Sequence, residues 1–177
     1  METQTFEVLN GQSRIDWIGR KVTGAHNGTI GINAGQLTFN DGKLAGGAFS
    51  IDTTKIEILD VTDPATNAQF AGHLASDDFF SSEQFPEATL QITAIEAGSA
   101  IRHAVTGDLT IKGITHPIHF DLDIRMQADQ LVAAAKLSVD RTKYNMKFRS
   151  GNFFQNLGDT LIYNEFELQV NLTAQAQ

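Results

Sequence analysis

The sequence predicts an all-β protein, an antiparallel barrel of eight or nine strands with one or two short helices inserted around residues 64–82. Three observations predict it. Apolar and polar residues alternate with period two along most of the chain. The alternating runs are joined by short turn signals such as HNG, NAG, NDGK, KGITH and QADQ. The runs at 101–112 and 116–126 are long, roughly 37 Å each at the usual rise per residue. An antiparallel sheet of long tilted strands favours closure over a sandwich of short ones.

The elements follow in order. Ile15 and Trp17 face one way while Arg14 and Asp16 face the other, and Ile30 with Ile32, Leu37 with Phe39, and Phe49 with Ile51 repeat the pattern. Asp63 then Pro64 reads as the cap and first residue of a helix. Phe70, His73 and Leu74 share one face of it, at i, i+3 and i+4. Ser76 followed by Asp77 and Asp78 reads as a second cap, which would place Phe79 and Phe80 on a second short helix. Strands resume with Leu90 and Ile92, then Val105, Leu109 and Ile111. In HPIHFDLDIRM, Ile118, Phe120, Leu122 and Ile124 oppose His119, Asp121, Asp123 and Arg125. Leu131 to Val139 and Phe166 to Leu172 close the series. Between them the apolar positions switch from odd (Leu137, Val139) to even (Tyr144, Met146, Phe148), which predicts a bulge or bend at Asp140–Thr142.

Bulk properties restrict the function. A chain of 177 residues with 41% apolar content fits one domain with one sizeable core. A net charge of −8, from 13 basic and 21 acidic residues, argues against nucleic acid as a partner. No cysteine is present, so thiolate chemistry and cysteine-based metal sites are out. The stretch METQTFEVLNGQSR carries no basic or apolar leader. The expectation is a cytoplasmic chain as it stands, or a periplasmic one if a leader was removed. No run is long and apolar enough for a membrane span.

Candidate chemistry is sparse. His116 and His119 lie three apart on a strand and point to opposite faces, so they do not form a metal pair. Asp77 and Asp78 diverge, and acids in a first turn already have a structural reason. Arg141, Lys143, Lys147 and Arg149 place four of the 13 basic residues within nine positions. This cluster reads either as an exposed strand face, with Arg141 paired to a carboxylate at the bend, or as a positive rim for an anionic or polar head group. Neither a cofactor nor a metal is predicted.

Several blocks then become recognisable: SRIDWIGRKVTGAHNGTI, GGAFSIDTTKI, GHLASDDFFSSEQFPEATLQIT, TGDLTIKGITHPI and SVDRTKYNMKFRSGNFFQNLGDTLIYNEFEL. From about Ser13 to Leu172 the chain resembles the YceI-like family of bacterial lipid-binding proteins. The resemblance implies an extended lipocalin-like barrel with a long apolar interior and no enzymatic activity. It also implies a polyisoprenoid ligand (isoprenoid quinones and their precursors included) or a fatty-acid derivative. Two positions depart from the pattern. Arg20-Lys21 stands where many relatives have Arg-His, and Asn145 stands where they have Gly.

The expected ligand-binding residues are Trp17, Phe39, Phe49, Ile92, Leu109, Ile111, Phe120 and Val139 along the interior. Phe70, His73, Leu74, Phe79 and Phe80 join them from the insert, and Arg141, Tyr144, Phe153 and Phe154 from the basic segment. The leading expectation is a non-catalytic carrier of a long-chain lipid. An isomerase or cyclase using His73, Arg141 or Tyr144, and a packed barrel acting only as an interaction module, stay open. So does a homodimer.

Overall fold

A computed structural model describes residues 2–97, 99–151, 157–158 and 161–177. The strands are β1 (Thr3–Val8), β2 (Arg14–Lys21), β3 (Gly24–Asn40), β4 (Lys43–Ile58), β5 (Glu87–Ala97), β6 (Arg102–Ile111), β7 (Ile114–Gln127), β8 (Gln130–Asp140) and β9 (Ile162–Ala176), with one helix α1 (Pro64–Ala75). Strands β2 to β9 close an eight-stranded antiparallel barrel, sealed by β3 on β4 and β2 on β9, and β1 is an additional strand. Strand β1 was not anticipated. It pairs with the far ends of β3 (Gln36 to Asn40) and β9 (Ala174 to Ala176), while β2 pairs with their near ends. Both run the same way, so β1 and β2 occupy one wall position, interrupted by a 3-10 turn at Asn10–Gln12.

Two expected turns fall inside a strand. HNG and NAG both lie within the continuous β3, and the β2–β3 reversal is at Val22–Thr23. The glycines in those triplets serve close packing instead of reversal. A Cβ on Gly28 would sit 1.8 Å from the Glu57 carbonyl oxygen, and one on Gly35 would sit 2.6 Å from the Phe49 ring. The other signals do turn the chain, through positive φ at Asp41, Gly42, Lys112, Gly113 and Ala128.

Helix α1 begins as the sequence predicts. The Asp63 carboxylate accepts from Thr66 N–H at 2.9 Å, and Pro64 occupies the first turn. The second helix does not form. Ser76 ends α1 instead, its hydroxyl donating to the His73 carbonyl at 2.6 Å, and residues 77–80 form turns tied back to Leu74 and Ser76. The return path is anchored at buried Thr53, whose hydroxyl donates to Phe85 O and whose carbonyl accepts from the Ser82 hydroxyl. This insert covers a gap in the wall. Strand β5 pairs with β4 only as far as Asp52, which leaves Thr53 to Ile58 of β4 without a β5 partner.

The expected bulge at Asp140–Thr142 is also different. Strand β8 ends at Asp140, whose carboxylate caps a 3-10 turn over Arg141–Tyr144, and Asn145 follows in the left-handed region at φ 62°. Tyr144, Met146 and Phe148 are therefore not a strand face. Asn tolerates this backbone, as glycine does.

Apolar packing falls into two clusters. One end of the barrel is plugged by Phe6, Leu37, Phe39, Val105, Leu131 and Ala174 with their neighbours. The helix-covered end holds Phe79, Leu109, Ile111, Val139, Tyr144 and Met146.

Candidate ligand-binding site

Between these clusters the inward-facing side chains leave an apolar cavity. An inner chamber of about 100 Å³ is walled by twenty residues, every one aliphatic or phenylalanine. They include Ile32, Phe49, Ile51, Leu90, Ile92, Leu109, Ile111, Ile118, Phe120, Leu122, Ala135 and Leu137. An outer chamber of about 460 Å³ lies beneath the insert. Ile30, Phe80, Phe166 and Leu168 wall both, so the chambers adjoin and Phe80 stands at their junction.

The outer chamber is apolar in its floor and polar at its rim. Trp17, Phe70, Leu74, Phe79, Met146 and Phe148 line it together with Arg20, Lys21, His26, His73, Arg141, Arg149 and Glu165. Trp17 is held by its indole N–H, which donates to Thr29 O at 3.1 Å, and its ring tilts against Phe70 at 6.4 Å. Two histidine–aspartate contacts brace the rim. His26 Nδ1 lies 2.8 Å from Asp60 Oδ2, and His73 Nε2 lies 2.9 Å from Asp78 Oδ2. Burial alone would raise the Asp60 carboxyl. The Asn27 N–H and His26 outweigh it and hold the group below its ordinary value. His73 also places its ring edge against Phe79 at 5.1 Å and Phe148 at 4.6 Å.

Arg141 is 3% exposed and carries no carboxylate partner among the described residues, contrary to the pairing expected for the bend. Its guanidinium donates instead to three carbonyls: Nε to Tyr163 O at 3.0 Å, Nη1 to Met146 O at 2.6 Å and Nη2 to Ile162 O at 3.0 Å. The last β8–β9 pair is Asp140 with Glu165, so the Ile162 and Tyr163 carbonyls lie just beyond the ladder. The guanidinium continues the pairing where β8 stops. Burial pulls its pKa down, against the pull of Asp140.

Of the residues expected to meet a ligand, Phe49, Ile92, Leu109, Ile111 and Phe120 line the inner chamber. Trp17, Phe70, His73, Leu74, Phe79 and Arg141 line the outer one, and Phe80 lines both. Phe39, Val139 and Tyr144 line neither. Phe39 is packed edge-on against Phe6 at 5.4 Å in the plug. Val139 and Tyr144 are each 1% exposed in the second cluster. Burial pushes the Tyr144 phenol up to about 12. Phe153 and Phe154 lie outside the described residues. Ile15, Ile30, Ile51, Leu90, Leu122, Phe166, Leu168 and Val170 also face the cavity, and their alternation marked them as inward-facing without marking them as wall. His116 and His119 do point apart: His116 Nε2 lies 3.0 Å from Lys143 O, His119 Nδ1 lies 2.9 Å from Thr106 Oγ1. No metal-binding cluster occurs among the described residues.

Comparison with known proteins places this geometry. The crystal structure of BcnA from Burkholderia cenocepacia superposes with a TM-score of 0.77 at 20% identity, over 95% of this chain and 99% of that one. A polyisoprenoid-binding domain from Saccharophagus degradans superposes with a TM-score of 0.72 at 12% identity, over 97% and 98%. These establish a shared fold. In sequence, a UPF0312 protein of Photorhabdus laumondii is 28% identical over 131 residues, a stretch that spans 74% of this chain and 65% of the relative. The family model of the YceI-like domain matches residues 6–174, and the chain belongs to that family.

Proposed function

We propose that this chain is a non-catalytic carrier that holds a long-chain polyisoprenoid, an isoprenoid quinone or a related lipid in the barrel. The observation that supports it most is the inner chamber, whose wall offers no polar side chain to a substrate. A hydrocarbon tail is suited to such a wall, at about 0.8 kcal/mol per buried CH₂. A few isoprene units offset the cost of association and reach micromolar affinity or better. The polyisoprenoid-binding domain of Saccharophagus degradans shares the fold. Of the three polar groups that a barrel enzyme could use, Arg141 is held by three carbonyls and Tyr144 lies outside both chambers, while His73 lines the outer chamber in contact with Asp78.

The test is native mass spectrometry of the purified protein followed by lipid extraction. We expect a mass adduct near one lipid per chain that extracts as an apolar long-chain molecule. A protein that purifies empty, and stays empty when offered such lipids, would refute the reading.

A further inference from the structure

We propose that the outer chamber selects an anionic head group, carboxylate or phosphate, and that Lys21 and Arg149 are the residues that read it. The inference rests on the carrier reading above and adds the charge of the ligand to it.

Among the described residues the wall of the outer chamber carries four cations, Arg20, Lys21, Arg141 and Arg149, against one carboxylate, Glu165. That excess occurs in a chain whose net charge is −8. Two of the four are already committed. Arg20 Nη1 pairs with Glu167 Oε1 at 2.8 Å. Arg141 gives its Nε, Nη1 and Nη2 to main-chain carbonyls. The histidines of the rim face Asp60 and Asp78.

Lys21 and Arg149 remain, and neither makes an ion pair among the described residues. Both flank the same residue of β9. Lys21 is registered opposite Ile162, and Ile162 N–H donates to the Arg149 carbonyl at 2.9 Å. Lys21 is an exposed residue at the end of β2, where the β2–β9 pairing shifts register between Gly19 and Lys21, and it lines the outer chamber. The Arg149 guanidinium lies over the Phe148 ring, 4.9 Å from its centroid, which limits the directions the side chain takes. A tail in the inner chamber passes Phe80 and Phe166 and brings its head between these two cations. The basic cluster noticed in the sequence thus contributes Arg149 to recognition, while Arg141 supports the backbone.

The experiment offers the purified protein matched pairs that differ only in head-group charge: oleate against oleyl alcohol, and farnesyl phosphate against farnesol. Each pair competes directly, read by native mass spectrometry. We expect the anion to win by ten-fold or more in both pairs, with the margin shrinking at high salt. The double variant Lys21→Gln/Arg149→Gln should bring anion and alcohol to parity by weakening the anion the more. Lys136→Gln, an exposed cation on β8, should leave the preference intact. Preference for only one anion of the two would narrow the head group to that chemistry and keep the proposal. Equal binding of anion and alcohol by the unmodified chain, or a preference that survives the double variant, overturns head-group selection and leaves the carrier reading standing. Failure of both members of both pairs to bind removes the carrier reading and this inference with it.

Discussion

Arg141 shows how a charged side chain in a lipid-sized barrel can be structural. Its guanidinium is buried with no carboxylate among the described residues, and its donors are matched to carbonyls that the end of β8 leaves without a strand partner. Unpaired buried carbonyls cost about 1–3 kcal/mol each. Arg141→Ala should therefore lower stability by about 3 kcal/mol or more, a fall of roughly 6–12 °C in melting temperature for a chain of this size. Arg141→Lys should rescue little, because an ammonium cannot span three carbonyls in one plane. Any loss of lipid should be equal for charged and uncharged ligands, in contrast to the Lys21 and Arg149 variants. Calorimetric melting beside the competition assay separates the two roles. A selective loss of anion binding at unchanged melting temperature would reassign Arg141 to the head group.

At the scale of elements, the insert from α1 to Pro86 is both wall and closure. None of the helix residues is buried, and Asn67 ties the helix to the barrel by donating to Ile58 O and Val61 O. The two phenylalanines that follow it have different surroundings. Phe79 is 9% exposed and packs with Tyr144 and Met146, with Arg141 over its ring at 5.8 Å. Phe80 faces Phe166 at 6.4 Å where the chambers meet. Phe79→Ala should thus cost about 3–5 kcal/mol of stability as a core truncation. Phe80→Ala should shift the melting temperature by a few degrees at most, about 1 kcal/mol, yet reduce bound-lipid stoichiometry. Matched losses of stability in the two variants would show that Phe80 is core as well. The sequence placed both rings in the closure through Asp63-Pro64 and the face formed by Phe70, His73 and Leu74. It could not separate them, since the turns at 77–80 depend on tertiary ties to Leu74, Ser76 and Thr53 that have no local signature.

For the whole molecule, period-two alternation with short turn signals and long strands is enough to read an antiparallel barrel of eight or nine strands, because each strand buries one face. What alternation cannot tell is how much of the buried face meets other side chains and how much meets empty space. Phe39 and Phe49 are both inward-facing aromatics. Phe39 meets Phe6 of the unanticipated β1 and plugs one end, while Phe49 lines the chamber. The distinction comes from register along the barrel axis, set by β1 and by shifts in the β3–β4 pairing near Ile30 and Ile32. Those shifts also explain why the inward positions of β3 pass from even (Ile30, Ile32) to odd (Leu37, Phe39), and why glycine triplets inside the strand resemble turns. Chamber depth follows from the same plug, and depth limits the tail a carrier accepts. Ala135 lies in the inner wall, registered between Leu122 and Val170, with no larger side chain at its position. Ala135→Phe should place a ring in the chamber while the barrel ladder stays as it is. We expect the variant to fold, to keep short prenyl or fatty chains, and to lose affinity for long ones, by about ten-fold for every two methylenes left outside. A chain-length series titrated against both proteins measures this as a break in the affinity curve at a shorter length in the variant. Parallel curves with no break would show that tails do not reach the inner chamber.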